Sequence, residues 1–314
     1  MENPQYPLVS VIIITYNSSK FVLETLESVK HQSYKNIELI VSDDSSTDNT
    51  GDICNEWLRE NQNRFVRTDF ISTKVNTGIP GNCNRGIKQA KGEWIRIVAG
   101  DDCLLPNSIK KYIEHINEQE DPNLEVLHAN VERYNEAFSI ENKLPFRPLA
   151  HLKFNQPSLT AKDQFEILLR TNNVLAGTTF IKKTVFDRIG LYDEEARLWE
   201  DRPMLLKMTQ NGIKIHYLDF CSLKYRRHAS SAQKTMKSNK FLSDYVILKH
   251  SYFYKNYSRH LPFFERSVAF ILAQRVIWLD KLNLNKNKLA IRATYNILGF
   301  PWTYISFLFK KKYL

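Results

Sequence analysis

Cysteine is scarce in this 314-residue chain, with only Cys54, Cys83, Cys103 and Cys221. None is spaced as CxxC and none has clustered histidine partners. That argues against structural zinc and for reduced thiols in a cytosolic setting. Long apolar runs are missing as well. No uncharged stretch reaches the roughly 20 apolar residues of a confident spanning helix. The run from Leu8 to Ile14 is too short for a secretory signal and has no basic region ahead of it. There is no internal repeat and no low-complexity linker. What remains is a globular chain, 43% hydrophobic, long enough for one large domain or two.

Acidic residues are what the C-terminal quarter lacks. From Met236 to Leu314 there are 14 Lys+Arg and three Asp+Glu, a balance of +11 in a chain whose total is +10. The rest holds 30 basic and 31 acidic residues, a balance of −1. From Phe241 onward the tail also carries 17 of the 38 aromatics. A neutral body, residues 1–235, and a basic, aromatic, helical tail, residues 236–314, therefore need separate explanations.

The body alternates strand-like and helix-like segments. Val9 to Thr15, Ile37 to Ser42, Val66 to Ser72 and Trp94 to Val98 read as strands, three of them Val/Ile-rich. Phe21 to Gln32, with Ser18 or Ser19 as N-cap, Thr50 to Asn61, and a Gly/Asn-rich loop running into a helix through Ala90 separate them. Four strands alternating with helices over about 100 residues point to βαβ units and a parallel sheet. Further on, Ser108 to Asn117, Asp163 to Arg170 and Asp201 to Asn211 read as helices, the last closed by Gly212. Leu124 to Tyr134, Thr178 to Ile181, Ile215 to Leu218 and Cys221 to Tyr225 read as strands. Phe138 to Pro157 is polar and Pro-punctuated, a loop or hairpin over the site.

Two of these strands end in paired acids. Asp101-Asp102 follows Gly100, and Asp43-Asp44 follows Ser42. Open parallel sheets bind ligands beyond their strand C-termini, and adjacent carboxylates need a cation or must give up a charge. Mg²⁺ or Mn²⁺ with a phosphorylated ligand suits such a pair; Gly-Asp-Asp also suits a plain turn, and the residues alone leave both open. Asp44 can accept a hydrogen bond from a nucleobase imide, with Tyr16 against the base face, while Asp48 or Ser46 caps the next helix. Glu200-Asp201 opens a helix, where acidic charge suits the dipole, and can equally supply a general base. Tyr225-Arg226-Arg227-His228 offers donors for a diphosphate or a metal, or is a solvated strand end.

In order along residues 8–232, these blocks resemble the family 2 inverting glycosyltransferases of bacterial polysaccharide synthesis. The matching stretches are Val9 to Asn17, Ser28 to Tyr34, Glu38 to Asp48, Asn76-Thr77-Gly78, Asn84 to Ile87, Ala90 to Trp94, Glu200-Asp201 and Tyr225 to Ser231. The resemblance implies an α/β, Rossmann-like GT-A fold, a mixed, mainly parallel sheet flanked by helices, here with a C-terminal helical extension. It implies sugar transfer from a nucleotide-diphosphate sugar, UDP- ahead of dTDP-, to a hydroxyl of a saccharide acceptor. Position by position, it implies Asp201 as catalytic base with Glu200 supporting it, and Tyr16, Asp44, Asn84 and Asp101 as nucleotide contacts. It implies Asp102 and His228 as contacts to Mn²⁺ or Mg²⁺, and Arg85 and Arg226 near the diphosphate. Three positions depart from the family pattern: Ala99 for the first acid of Asp-x-Asp, Ser45 for the usual Gly, and Cys83 for a frequent Arg.

A rival reading keeps the acids as surface and helix caps in a non-catalytic nucleotide- or polysaccharide-binding protein. Nucleic acid is an unsuitable partner, because the tail is more apolar than a phosphate-reading surface needs. Phe300 to Phe309 followed by Lys310-Lys311-Lys312 reads instead as an interfacial segment for anionic lipid. The expectation is an enzyme peripheral on the cytoplasmic face of the cell membrane, meeting a lipid-linked acceptor. The inner tail aromatics are expected to pack on the catalytic domain.

Overall fold

β1 (Val9–Thr15) and β2 (Ile37–Asp43) run through the middle of a sheet, and all of their residues except Ile14 are buried. Burial on both faces is why they read as continuous Val/Ile runs rather than as alternating patterns. A computed structural model describes residues 6–119, 121–150, 152–171, 174–228, 242–282, 284–286 and 289–311. In it β3 (Arg67–Ser72), β2, β1 and β4 (Trp94–Ala99) lie side by side and parallel. The sheet continues through β7 (Phe180–Lys182), β6 (Val126–Asn135), β8 (Ile215–Arg227) and β5 (Cys103–Leu104). β7 is antiparallel to both neighbours, β6 and β8 are parallel, and β5 closes the edge antiparallel. This is the mixed, mainly parallel α/β sheet expected from the sequence.

Helices cover both faces. Val9, Val11 and Ile13 point to a core shared with α1 (Val22–Lys30), α2 (Thr50–Asn61) and α4 (Ser108–Gln119). Ile12, Ile40 and Ile95 point the other way, toward α3 (Gly78–Gln89), α5 (Ala161–Leu168), α6 (Lys183–Ile189) and α7 (Asp201–Gln210). The alternation is the period of two of a pleated strand. α3 sits close because Gly86 faces Ile12: a Cβ there would lie 2.3 Å from Ile12 Cγ2.

Several local expectations are corrected. β8 is one strand where the sequence suggested two; register shifts opposite Asn130 absorb the polar break at Asp219-Phe220. β5 and α6 are too short to show a periodic signal. Neither Ser18 nor Ser19 caps α1 with its side chain; the Ser18 carbonyl accepts from Phe21 and Val22, and its hydroxyl accepts from Tyr16 N.

The tail forms α8 (Asp244–Tyr257), α9 (Phe263–Lys281) and α10 (Leu289–Lys311). It docks on the body through Arg170–Glu265 at 2.8 Å and through Tyr252 and Tyr257, which donate to Asp193 and to the Pro203 carbonyl. Those two tyrosines are buried, whereas Phe263, Phe264 and Trp278 are exposed. The expected boundary at 235/236, the match at 229–231 and Lys312 lie outside the described residues. No helix among the described residues is long and apolar enough to cross a membrane.

Candidate active site

The loops after β1, β2 and β4 enclose a cavity of about 370 Å³. It lies beyond the C-terminal ends of the parallel strands, where such sheets bind ligands. Tyr16, Asp44, Asp101 and His228 line it, with Phe21 and Leu198 as apolar walls. The turn out of β1 depends on Asn17 at φ 50°, a left-handed conformation that Asn tolerates. Ser45 also sits left-handed, at φ 68°, a conformation that Gly adopts without steric cost.

Asp44 is 2% exposed, and its carboxylate accepts from Thr77 N, Thr77 Oγ1, Gly78 N and Arg85 Nη2 at 2.7–3.1 Å. It therefore fastens the N-terminus of α3 to the end of β2 while lying on the cavity wall. Asp43 is occupied locally by Thr15 and Ser46. Tyr16, 52% exposed, offers an open ring at the cavity mouth.

The two carboxylates after β4 divide their surroundings. Asp101 faces the cavity and is hydrogen-bonded to His228 Nε2 at 2.7 Å; the imidazole is braced by Phe21, ring centroids 4.8 Å apart. Asp102 turns inward, 4% exposed, and accepts from Arg226 N at 2.8 Å. Burial pushes its carboxyl well above the usual range, the Asp101 charge adds to this, and Arg226 and Arg96 oppose it. Arg226 is itself buried between Phe21 and Phe138, 4.4 and 3.9 Å from the ring centroids. It donates to the Asp101 and Glu136 carbonyls. Its guanidinium thus braces the turn and does not reach the cavity.

Glu200 and Asp201 stand at the start of α7, two and three residues after Leu198. The segment is held against α3, where Ile79 N donates to the Arg197 carbonyl at 3.0 Å. Gly78, at φ 84°, makes this approach possible, since a Cβ would meet Arg197 O at 2.5 Å. Burial, then the Asp201 charge, pushes the Glu200 carboxyl up to about 8.

The structure thus brings Tyr16, Asp44, Asp101 and His228 together, with Glu200-Asp201 on the adjoining segment. Four expected contacts are placed elsewhere, the first being Asp102, expected at the metal, which turns inward onto Arg226 N. Asn84 bonds Tyr192 and Glu194 on the far side of α3, Arg85 ties Asp44 to Thr77 and Asn82, and Arg226 is enclosed as above. Sequence reasoning missed Phe21 and Leu198; no polar motif marks either, although Leu198 directly precedes Trp199-Glu200-Asp201. Among the described residues no group of three His, Cys, Asp or Glu is placed to hold a metal ion. Mg²⁺ and Mn²⁺ are held by one or two carboxylates plus phosphate oxygens, so the cavity-facing Asp101, with His228 beside it, fits such an ion.

The sequence model of glycosyl transferase family 2 matches residues 10–190, more than half of the chain. The chain belongs to that family. The transferase is 26% identical over 244 residues to glycosyltransferase GlyG of Streptococcus pneumoniae, covering 73% of each. It is 29% identical over 235 residues to the Escherichia coli enzyme WfaP, covering 74% of this chain and 81% of that one. WfaP is the UDP-Glc:alpha-D-GlcNAc-diphosphoundecaprenol beta-1,3-glucosyltransferase. The crystal structure of S. aureus TarS 1-349 in complex with UDP-GlcNAc superposes with a TM-score of 0.58 at 21% identity, over 86% of this chain and 72% of that one. That likeness shows the GT-A fold. This protein is therefore a glycosyltransferase, and the non-catalytic reading is set aside.

Proposed function

We propose that this transferase moves a sugar, with inversion, from a UDP-sugar to a hydroxyl of a lipid-linked saccharide in cell-surface polysaccharide synthesis. The observation that carries the donor half is the meeting of Tyr16, Asp44, Asp101 and His228 on one cavity at the sheet edge. Tyr16 stacks on the base, Asp44 meets the imide edge, and Asp101 with His228 faces the diphosphate. Asp101 with His228 would hold a divalent ion, Mn²⁺ or Mg²⁺, which would supply charge neutralisation for the departing diphosphate.

Asp201 takes the proton of the acceptor hydroxyl as its oxygen forms the new bond to the anomeric carbon. The bond from that carbon to the β-phosphate oxygen breaks, and UDP leaves with the electron pair. Two adjacent carboxyls do not both stay ionised easily. Burial and the neighbouring Asp201 charge disfavour an ionised Glu200. The UDP choice and the lipid-linked acceptor draw on WfaP and on the UDP-GlcNAc complex of TarS.

Exposed Phe300, Tyr304 and Phe307 on α10 and Phe263 on α9 support a peripheral position on an anionic membrane surface, on its cytoplasmic side. The test is UDP binding by calorimetry with and without Mn²⁺, followed by hydrolysis of a panel of nucleotide sugars. Mn²⁺-dependent binding and turnover of one UDP-sugar are expected. Metal-independent binding with no turnover on any donor would overturn the reading.

A further inference from the structure

A second cavity, of about 120 Å³, lies behind the catalytic segment, between the body and the tail helices. Its walls come from Leu169 and Arg170 just past α5 and from Trp199 and Arg202 at the start of α7 on one side, and from α8, α9 and α10 on the other. Arg202, the residue after the catalytic base, projects into it and is 8% exposed. Its Nε donates to the Leu168 carbonyl at 2.6 Å, and Trp199 and Phe253 flank the guanidinium at 5.8 and 4.9 Å. Among the described residues the two Nη groups have no hydrogen-bond partner. A buried guanidinium with unused donors calls for an anion.

The charge around it agrees. Arg170, Arg202 and Lys249 line the cavity against one lining carboxylate, Glu265, which Arg170 already engages at 2.8 Å, and Asp201 acts on Arg202 from outside the lining. Lys249 Nζ lies 5.7 Å over the Trp199 ring, on the same wall as Arg202. The remaining wall is apolar, with Phe253, Leu272 and Phe309. From Phe309 an apolar track leads outward, because Phe264 packs edge-on against it at 5.8 Å and is 58% exposed. At about 120 Å³ the cavity is smaller than the roughly 150 Å³ that holds a benzene-sized guest, so it takes one phosphate group of a headgroup and leaves the rest at its mouth, where a chain follows the track.

We propose that this cavity binds the prenyl-linked diphosphate of the acceptor, with the diphosphate on Arg202 and the chain running over Phe309 and Phe264. The inference rests on the lipid-linked acceptor reading and locates the acceptor's anchor. The tail would then have a role in acceptor binding, and adjacent residues, Asp201 and Arg202, would serve the two ends of one acceptor.

The test uses the full chain with the donor site saturated by UDP and Mn²⁺, and farnesyl diphosphate as probe, followed by Trp fluorescence because Trp199 lines the cavity. Arg202→Gln should weaken farnesyl diphosphate binding about 10- to 100-fold, the range for losing charge-assisted hydrogen bonds. UDP affinity should not change. Leu272→Trp, which fills the cavity from α9, should weaken it comparably and guards against misfolding of the first variant. Farnesol and inorganic diphosphate should each bind far more weakly than the joined molecule. Retained binding in both variants, inorganic diphosphate binding as tightly as farnesyl diphosphate, or parallel loss of UDP affinity would overturn the proposal. A wild-type enzyme that turns over a UDP-sugar but ignores farnesyl diphosphate sinks this inference alone. Absence of turnover on every donor counts against the function reading.

Discussion

Asp44→Asn separates the proposed nucleotide contact of Asp44 from its role as a structural clamp. Its carboxylate is 2% exposed, accepts from two backbone N–H groups and the Thr77 hydroxyl, and forms an ion pair with Arg85 at 2.9 Å. An amide in its place presents an N–H₂ group to donors and leaves the guanidinium of Arg85 without a counter-charge. Breaking a buried pair by removing one partner costs about 3–5 kcal/mol. Arg85 is 23% exposed and so partly solvated, which places the loss at the low end, about 3 kcal/mol. At about 2 °C per kcal/mol for a chain of this size, the melting temperature should fall by about 6 °C. Scanning calorimetry reads that shift, and calorimetric titration with UDP reads the binding loss. A variant that loses UDP affinity but melts within a degree of wild type would refute the clamp. One that melts early yet binds UDP normally at low temperature would refute the base contact.

Gly78→Ala should cost more than Gly212→Ala: both sit left-handed, at φ 84° and 80°, worth about 1–2 kcal/mol each, but only Gly78 has Arg197 within 2.5 Å of the new Cβ. Chemical denaturation of the pair would read the clash as a difference, and equal losses would count against the tight packing of the Arg197 segment on α3. Buried His128 is pulled from 6.5 down to about 4 by burial, with a partly opposing hydrogen bond to Asn155. The unfolded chain therefore binds the proton first, and stability should fall by about 3 kcal/mol as pH drops from 6.5 to 4, levelling below. His128→Gln should flatten that part of the stability profile, and an unchanged slope would remove His128 as its source. Deleting residues 300–314 should release the protein from anionic vesicles in a flotation assay without loss of UDP binding. Equal flotation of the truncated and intact proteins would rule out α10 as the membrane contact.

The parallel half of the sheet was legible because buried strands leave continuous Val/Ile runs and end in acids at one edge. The positions of Asp44 and Asp101 followed from the paired acids at that edge, while Asp101 as a nucleotide contact came from the family resemblance. The division of labour between Asp101 and Asp102 was not legible, because it depends on which way each side chain leaves a two-residue turn. Arg226 and Asn84 look like ligand contacts in sequence, yet their partners are Phe21, Phe138, Tyr192 and Glu194, brought in from distant segments. Ser45 illustrates the converse: a departure from the family pattern that the backbone accommodates without changing course. The cavity around Arg202 needed the docking of the tail helices, which leaves no periodic trace in the body.

The most direct test of the account is Asp201→Asn, assayed for sugar transfer and for UDP–Mn²⁺ binding on the same preparation. Removing a general base should lower kcat by about 100- to 10,000-fold. UDP affinity should stay within about twofold of wild type, since that change is small beside a tenfold step of about 1.4 kcal/mol. A variant that keeps near wild-type turnover, or one that loses nucleotide affinity along with it, would contradict the assignment of Asp201 as the base.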